Sequence, residues 1–421
     1  MRPTTPRGFR DILTREARER DQISRSIIEA LAAWGYSIVE TPIVEEYTTL
    51  QVGVGKSLQG TVFPFVDTDG TLLALRPEMS VPIARLAATR LSQSPGPHRL
   101  SYSSEVFREQ VSLRGQARQF TQVGLELIGA SGPVADAEVV GTLVESLRAT
   151  GLRGFVVAVG TVEVLRSIIT SSDMDSQWKD AVIEAAQKRN LVAIDLLAAR
   201  EGLDSAVASA LRVVPRLRGG REVIAECSQV AGSFAGVAAA LDLLGATWDL
   251  LEASGVQEFV SIDLGTMRSF DYYAGMVLEV FAPQLGVAIG GGGRYDPVMS
   301  EFGDPCPAAG FALGLERVHI ALSEQGGVKP SRALDAVLGG EAQQSFVAAA
   351  KLRAAGWRVR LACGDRASVA EEGPQFAAKL ALWASADGVV VLGSDASVTG
   401  TLSEPFGEPP SQAERESEVR S

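Results

Sequence analysis

Apolar residues Ile23, Ile27, Leu31 and Trp34 recur every three or four positions, which predicts an amphipathic helix that buries one face. Thr14 is its expected N-cap, with Glu16 in the first turn. Gly35 ends the helix, and Tyr36–Thr41 reads as a strand running into Pro42, whose missing N–H marks a strand end or a sheet edge. Further strands are expected at Val62–Val66, Leu72–Leu75, Leu100–Val106 and Gln122–Ile128, with a helix at Met79–Leu91. Mostly short turns separate these runs, so the sheet should be antiparallel. Between roughly residues 155 and 255 the period lengthens: Trp178, Val182 and Ala185 share a helical face, and Ile194, Leu197 and Ala198 open another helical stretch. Helix resumes from Val223 apart from the Gly232–Gly236 interruption, which predicts a helical insertion, and strand patterns return at Phe259–Leu264, Met276–Phe281 and Gly310–Leu313.

Beyond Lys329 the pattern changes again. Ala333–Leu338, Arg358–Ala362 and Val389–Leu392 read as strands, with helices expected at Ala342–Ala355 and Gln375–Ser385. Alternating elements with short connections predict a small parallel-sheet α/β domain over residues 330–400. Residues 401–421 are polar, carry Pro405, Pro409 and Pro410, and show no period, so a disordered tail is expected. The fold class is therefore α+β: an antiparallel sheet with flanking helices over residues 1–325, interrupted by the helical insertion at about 155–255 and followed by the small domain.

Composition narrows the function. At 421 residues, two or three domains of roughly 150 residues are expected. The formal net charge of −12 argues against a general coat of nucleic-acid phosphates. Cys227, Cys306 and Cys363 form no CxxC pair, which suits a reducing compartment. With only His98 and His319, a histidine-built zinc site is not expected, nor any other metal or cofactor. Met1–Leu13 has no apolar core of signal-peptide length, and Val230–Leu241 falls short of the roughly 20 residues of a membrane span, so a cytoplasmic protein is expected.

Candidate chemistry sits at strand and loop ends. Gly55-Lys56-Ser57 resembles a phosphate loop, but Leu50 stands where its first glycine belongs, so a strand-connecting loop is the simpler reading. Arg76-Pro77-Glu78, Arg108 and Arg118 cluster around the strand that carries Gln122 and Glu126. Those two lie four residues apart and so point to one face, which fits a solvated cavity better than a packed core. Arg268 and Asp271-Tyr272-Tyr273, followed by the Gly290–Gly293 run before Arg294-Tyr295-Asp296, add phenols and a close backbone approach to such a cavity.

In this order, these strings resemble the catalytic core of the histidyl-tRNA synthetases, a class II family. Gly35 to Pro42 is similar to the dimer-forming motif 1, Phe107-Arg108 through Phe120-Thr121-Gln122 to motif 2, and Gly310 to Arg317 to motif 3, while Arg268 to Tyr273 and Gly291 to Asp296 resemble the two histidine-specific signatures. The resemblance implies a histidine-like ligand held by Glu78, Ser80, Arg108, Gln122, Glu126, Arg268, Tyr272 and Tyr273. The chemistry agrees, since an ammonium wants carboxylates, an imidazole wants acceptors and a phenol, and a carboxylate wants the arginine at 268. The chain departs from the synthetases in motif 2, where Gln110 replaces the glutamate of Arg-x-Glu and Gln116 stands where a second arginine is usual. Losing one preorganised donor at the phosphates costs on the order of 10²–10³ in rate.

The helical insertion with Val214-Pro215-Arg216-Leu217-Arg218-Gly219-Gly220, and Ile262-Asp263-Leu264-Gly265 leading to Arg268-Ser269-Phe270-Asp271-Tyr272-Tyr273-Ala274-Gly275, are more similar to the synthetase's paralogues, the regulatory subunits of ATP phosphoribosyltransferase. That resemblance implies no catalytic residues and an allosteric role in the first step of histidine biosynthesis. It further implies a hetero-octamer with a short catalytic subunit, self-association as a dimer, free histidine as effector, and no tRNA binding. An active histidyl-tRNA synthetase is the alternative. The carboxyl-terminal domain only faintly resembles an anticodon-binding domain.

Overall fold

Ile23, Ile27 and Leu31 are buried along one side of a Thr14–Ala33 helix in the computed structural model, which describes residues 4–53, 60–109, 117–266, 272–283, 285–328, 334–376, 378–403 and 406. Thr14 is the first helical residue rather than the cap; Leu13 precedes it and makes no side-chain cap bond. Glu16 stands in the first turn and accepts a hydrogen bond from Arg10 at 2.8 Å. Gly35, at φ +83, turns the chain out of the helix, a conformation that costs a glycine nothing. Two compact units follow from the contacts, Met1–Val328 and Lys329–Ser421.

The first unit holds β1 (Ser37–Ile38), β2 (Val44–Glu46), β3 (Phe63–Val66), β4 (Leu72–Leu75), β5 (His98–Phe107) and β6 (Gln119–Ile128). It continues with β7 (Val156–Thr161), β8 (Arg218–Gly219), β9 (Val260–Asp263), β10 (Met276–Phe281), β11 (Gly290–Arg294) and β12 (Ala308–Gly314). Nine of these form one sheet in the order β1-β5-β6-β12-β11-β10-β7-β9-β8. Its pairs are antiparallel except β1 with β5 and β7 with β9. Strands β2, β4 and β3 form a separate small antiparallel sheet, so Val62–Val66 and Leu72–Leu75 do not join the main one as expected from sequence.

Alternation along the central strands separates two cores. Val123, Leu125 and Leu127 of β6, with Ala309, Phe311 and Leu313 of β12, face the helices Thr14–Ala33 and Pro133–Ala149. Gln122, Gly124 and Glu126 therefore take the opposite face, where Tyr102 of β5 and Ala308 of β12 pack with Met79, Val81, Ile83, Tyr272 and Tyr295. The site lies on this second face.

The insertion is mainly helical, with β8 inside it, and it starts later than the helical period predicts. Val156–Thr161 is a strand between β10 and β9, buried on both faces, and such an apolar run carries no alternation to distinguish it. Helices then cover Val162–Thr170, Ser176–Gln187, Leu191–Leu197, Ser205–Val213, Glu222–Ala231 and Val237–Ala253. Trp178, Val182 and Ala185 are buried together as their spacing predicts.

The second unit holds β13 (Ala336–Gly340), β14 (Val359–Leu361), β15 (Leu380–Ser385), β16 (Gly388–Leu392) and β17 (Val398–Leu402) in the order β14-β13-β15-β16-β17. Only β14, β13 and β15 are parallel, so the sheet is mixed rather than parallel. The helix expected at Gln375–Ser385 is displaced: helix covers Arg366–Gln375, with Pro374 in its last turn, and Leu380–Ser385 is β15. Leu382 faces one cluster and Trp383 the other, so both faces of β15 are covered and again no period of two is visible. The tail expected from Thr401 starts inside β17, and Phe406 is buried in this unit's core; the other residues beyond Ser403 lie outside the described set.

Candidate functional site

Glu126 is the buried centre of the site. Its carboxyl is 1% exposed, and Oε1 accepts a hydrogen bond from Ser80 Oγ at 2.7 Å, with the Tyr102 hydroxyl at 3.4 Å. Oε2 has no hydrogen bond of regular geometry, and neither has the Tyr295 hydroxyl nearby. Burial pushes the Glu126 carboxyl up to about 8, against the pull of the Tyr295, Ser80 and Tyr102 hydroxyls and with the repulsion of Glu78. Among these partners the carboxyl is therefore mostly neutral at pH 7.

Room for this carboxyl comes from glycine. A Cβ on Gly310, paired with Glu126 across β6 and β12, would lie 2.0 Å from Glu126 Oε2. A Cβ on Gly292 would fall 2.0 Å from the Gly310 carbonyl oxygen, so the glycine run is a strand pressed against its neighbour rather than a loop around a ligand.

Glu78 precedes the Ser80–Leu86 helix and caps it. Its Oε2 accepts from Ser80 N and its Oε1 from Val81 N, both at 2.7 Å. Burial raises its pKa while those two N–H groups and Arg108 oppose the rise. Ser80 thus joins the two carboxyls. Arg108 donates from Nε to the Pro77 carbonyl at 2.7 Å and lies 5.3 Å from the Phe120 ring centroid. Tyr272 and Tyr273 meet edge to face at 4.8 Å, and Tyr272 lies 6.1 Å from Tyr295. Gln122 shares the face of Glu126 and keeps Oε1 buried without a partner. The structure thus brings together Glu78, Ser80, Glu126, Tyr272 and Tyr273, with Arg108 at the carbonyl beside Glu78 and Gln122 further along the strand. Arg268 and Asp271 fall outside the described residues, as do Gln110, Gln116 and the Gly55-Lys56-Ser57 string.

Two contributors are missing from the ligand set expected from sequence. Tyr102 comes from β5, where an aromatic on a strand reads as core; Tyr295 lies within the Gly291–Asp296 signature but is not part of that set. Arg76 differs from its reading too. It is 3% exposed and clamps backbone, donating to the Thr41 carbonyl at 2.7 Å and the Glu105 carbonyl at 2.8 Å. Among the described residues no three His, Cys, Asp or Glu side chains come together as a metal set.

Buried acceptors with spare lone pairs, lined by phenols, suit a small cationic ligand with hydrogen-bond donors. Comparisons with known proteins identify the family. The family model described as histidyl-tRNA synthetase matches residues 8–318. A protein of Moorella thermoacetica described as an ATP phosphoribosyltransferase regulatory subunit is 40% identical over 319 residues, covering 76% of this chain and 82% of its own. The chain belongs to these regulatory subunits, within the histidyl-tRNA synthetase family. Another such subunit, from Symbiobacterium thermophilum, is 39% identical and covers 87% of this chain and 92% of its own length. A solved structure from Bacillus halodurans, titled as an ATP phosphoribosyltransferase regulatory subunit/histidyl-tRNA synthetase, superposes with TM-score 0.78 at 31% identity over 85% of this chain and 92% of that one. The histidyl-tRNA synthetase of Nostoc, at 21% identity and TM-score 0.77 over 91% of each chain, shows the shared class II fold. Among the described residues no helix is long and apolar enough to cross a membrane.

Proposed function

We propose that this chain is a non-catalytic regulatory subunit that joins a short catalytic subunit of ATP phosphoribosyltransferase and carries the histidine feedback of that complex. The site would take free histidine among Glu78, Ser80, Arg108, Gln122, Glu126, Arg268, Tyr272 and Tyr273. The observation that carries this reading is the buried Glu126 carboxyl, whose Oε2 has only the Tyr295 hydroxyl beside it and no hydrogen bond of regular geometry, so that a ligand donor would complete its set. Relatives named as regulatory subunits support the partner, and Gln110 and Gln116 in motif 2 speak against adenylate chemistry. The exposed Ile38 on the edge strand β1, with Val44, Val66 and Leu72 exposed on the small β2-β4-β3 sheet, supports self-association as a dimer, from which a hetero-octamer with the catalytic subunit would be built.

Co-purification with the short catalytic subunit, together with histidine titration calorimetry, tests the reading. Glu126→Ala should weaken histidine binding about 10- to 100-fold, as loss of a charged hydrogen bond worth about 1.5–3 kcal/mol requires. Inhibition of the assembled complex should weaken in step. If both stay unchanged, the regulating histidine binds elsewhere; robust charging of histidine tRNA by this chain alone would restore the synthetase alternative.

A further inference from the structure

Arg189 stands between two helices of the insertion, Ser176–Gln187 and Leu191–Leu197, with a left-handed backbone at φ +51. Non-glycine residues adopt that conformation rarely. Its amide donates to the Ala186 carbonyl at 3.0 Å and the next amide, of Asn190, to Ala185 at 2.8 Å, closing the helix end. The side chain leaves the insertion and spans the sheet. Nη1 donates to Asp263 Oδ2 at 3.3 Å, and Nη2 to Thr266 Oγ1 at 2.9 Å and Glu279 Oε2 at 2.8 Å. Those acceptors belong to β9, to the turn after it, and to β10, which are separated in the sheet by β7.

From there a continuous set of contacts reaches the pocket. Thr266 is fully buried against β7: a Cβ at Gly160 would lie 3.5 Å from Thr266 Cβ and 2.5 Å from the Asp263 carbonyl oxygen. The next residue of β7, Thr161, pairs with Met276, and Val162 N donates to the Gly275 carbonyl at 3.0 Å. Arg166, one turn on, donates from Nη2 to the Tyr273 carbonyl at 3.0 Å. Tyr273 in turn packs on Tyr272.

We propose that Arg189 is a positioning residue for the pocket: it ties the helical insertion to the strands that hold Tyr272 and Tyr273, so that the placement of the insertion sets histidine affinity. The proposal rests on the reading of the pocket given above. It touches no ligand, and its effect would pass through packed groups with fixed partners.

The test compares the full chain with Arg189→Ala, Arg189→Lys, Thr266→Val and the Arg189→Ala/Thr266→Val double variant. Arg216→Ala, which breaks the Arg216–Asp195 pair within the insertion at 2.8 Å, serves as a control. Histidine calorimetry and amide hydrogen exchange are the readouts. Arg189→Ala and Thr266→Val should each weaken histidine about 3- to 20-fold, with the double variant no weaker than the worse single one. Arg189→Lys should fall between, and Arg216→Ala should match the parent. Exchange at Ala274 and Met276 should quicken in Arg189→Ala while amides of the Pro133–Ala149 helix keep their rates. Unchanged affinity in Arg189→Ala, losses that multiply in the double variant, or unchanged exchange at Ala274 and Met276 would each overturn the proposal. If the parent chain binds no histidine, the pocket reading fails and the ligand-free exchange still decides the role of Arg189.

Discussion

Glu126 couples the pocket to pH. Its carboxyl rises on folding from an ordinary 4.5 to about 8, so the stability it contributes is complete below pH 4.5 and is lost as pH climbs to about 8. Glu126→Gln should flatten that part of the stability profile, whose slope from one such group is at most about 1.4 kcal/mol per pH unit; urea unfolding at stepped pH measures it. A cationic ligand needs the ionised form. Histidine binding near neutral pH should therefore release a proton, seen as a calorimetric heat that varies with buffer ionisation enthalpy, and affinity should rise with pH toward 8. Gly310→Ala should abolish binding in the same assay, because the added methyl would stand on Glu126 Oε2. Much of this site was legible in sequence, since a four-residue interval on a strand must put Gln122 and Glu126 on one face. Tyr102 was not legible as a member, because only the pairing of β5 with β6 carries it there, and Tyr295 was legible only as part of the Gly291–Asp296 signature.

Elements are joined around the site by a buried ion pair. Arg294, at the end of β11, donates to Asp136 of the Pro133–Ala149 helix at 2.6 Å, with both side chains almost wholly buried. Burial pushes the Asp136 carboxyl up and Arg294 pulls it back only in part, so the pair adds little net stability of its own. Removing Arg294 is a different matter, because Asp296 and the Ala130 carbonyl can keep Arg294 paired but, among the described residues, only Arg294 neutralises the buried Asp136. Arg294→Met should cost about 3–5 kcal/mol in chemical denaturation, whereas breaking the exposed Arg221–Asp249 pair should leave stability nearly unchanged. Element types were readable where one face is polar in sequence, as in the Thr14–Ala33 helix and on the even positions of β6, although the latter are buried. They were unreadable where both faces are covered, as at Val156–Thr161 and Leu380–Ser385, and where a strand is made of glycine, as at β11, because burial on both sides erases the period that marks an element.

At the scale of the whole molecule, exposed apolar residues bear on assembly. Ile38, on the edge strand β1, is 60% exposed, and the proposed dimer would cover it. Ile38→Glu should shift the chain from dimer to monomer in sedimentation at micromolar concentration; a parent chain that is already monomeric would count against the dimer. The second unit has a separate core of Ala336, Leu338, Ala349, Leu352 and Leu382, and the family model stops at residue 318, ahead of it. The family match ends earlier than the boundary, inside the Leu315–Glu324 helix, so the boundary is marked by the two hydrophobic cores, and a division between cores is a natural seam for recombination. Each side can be exchanged, lost or acquired without asking the other to refold, as domain shuffling requires. A chain ending at Val328 should accordingly fold and bind histidine as the parent does, which leaves evolution free to give the carboxyl-terminal unit a history of its own.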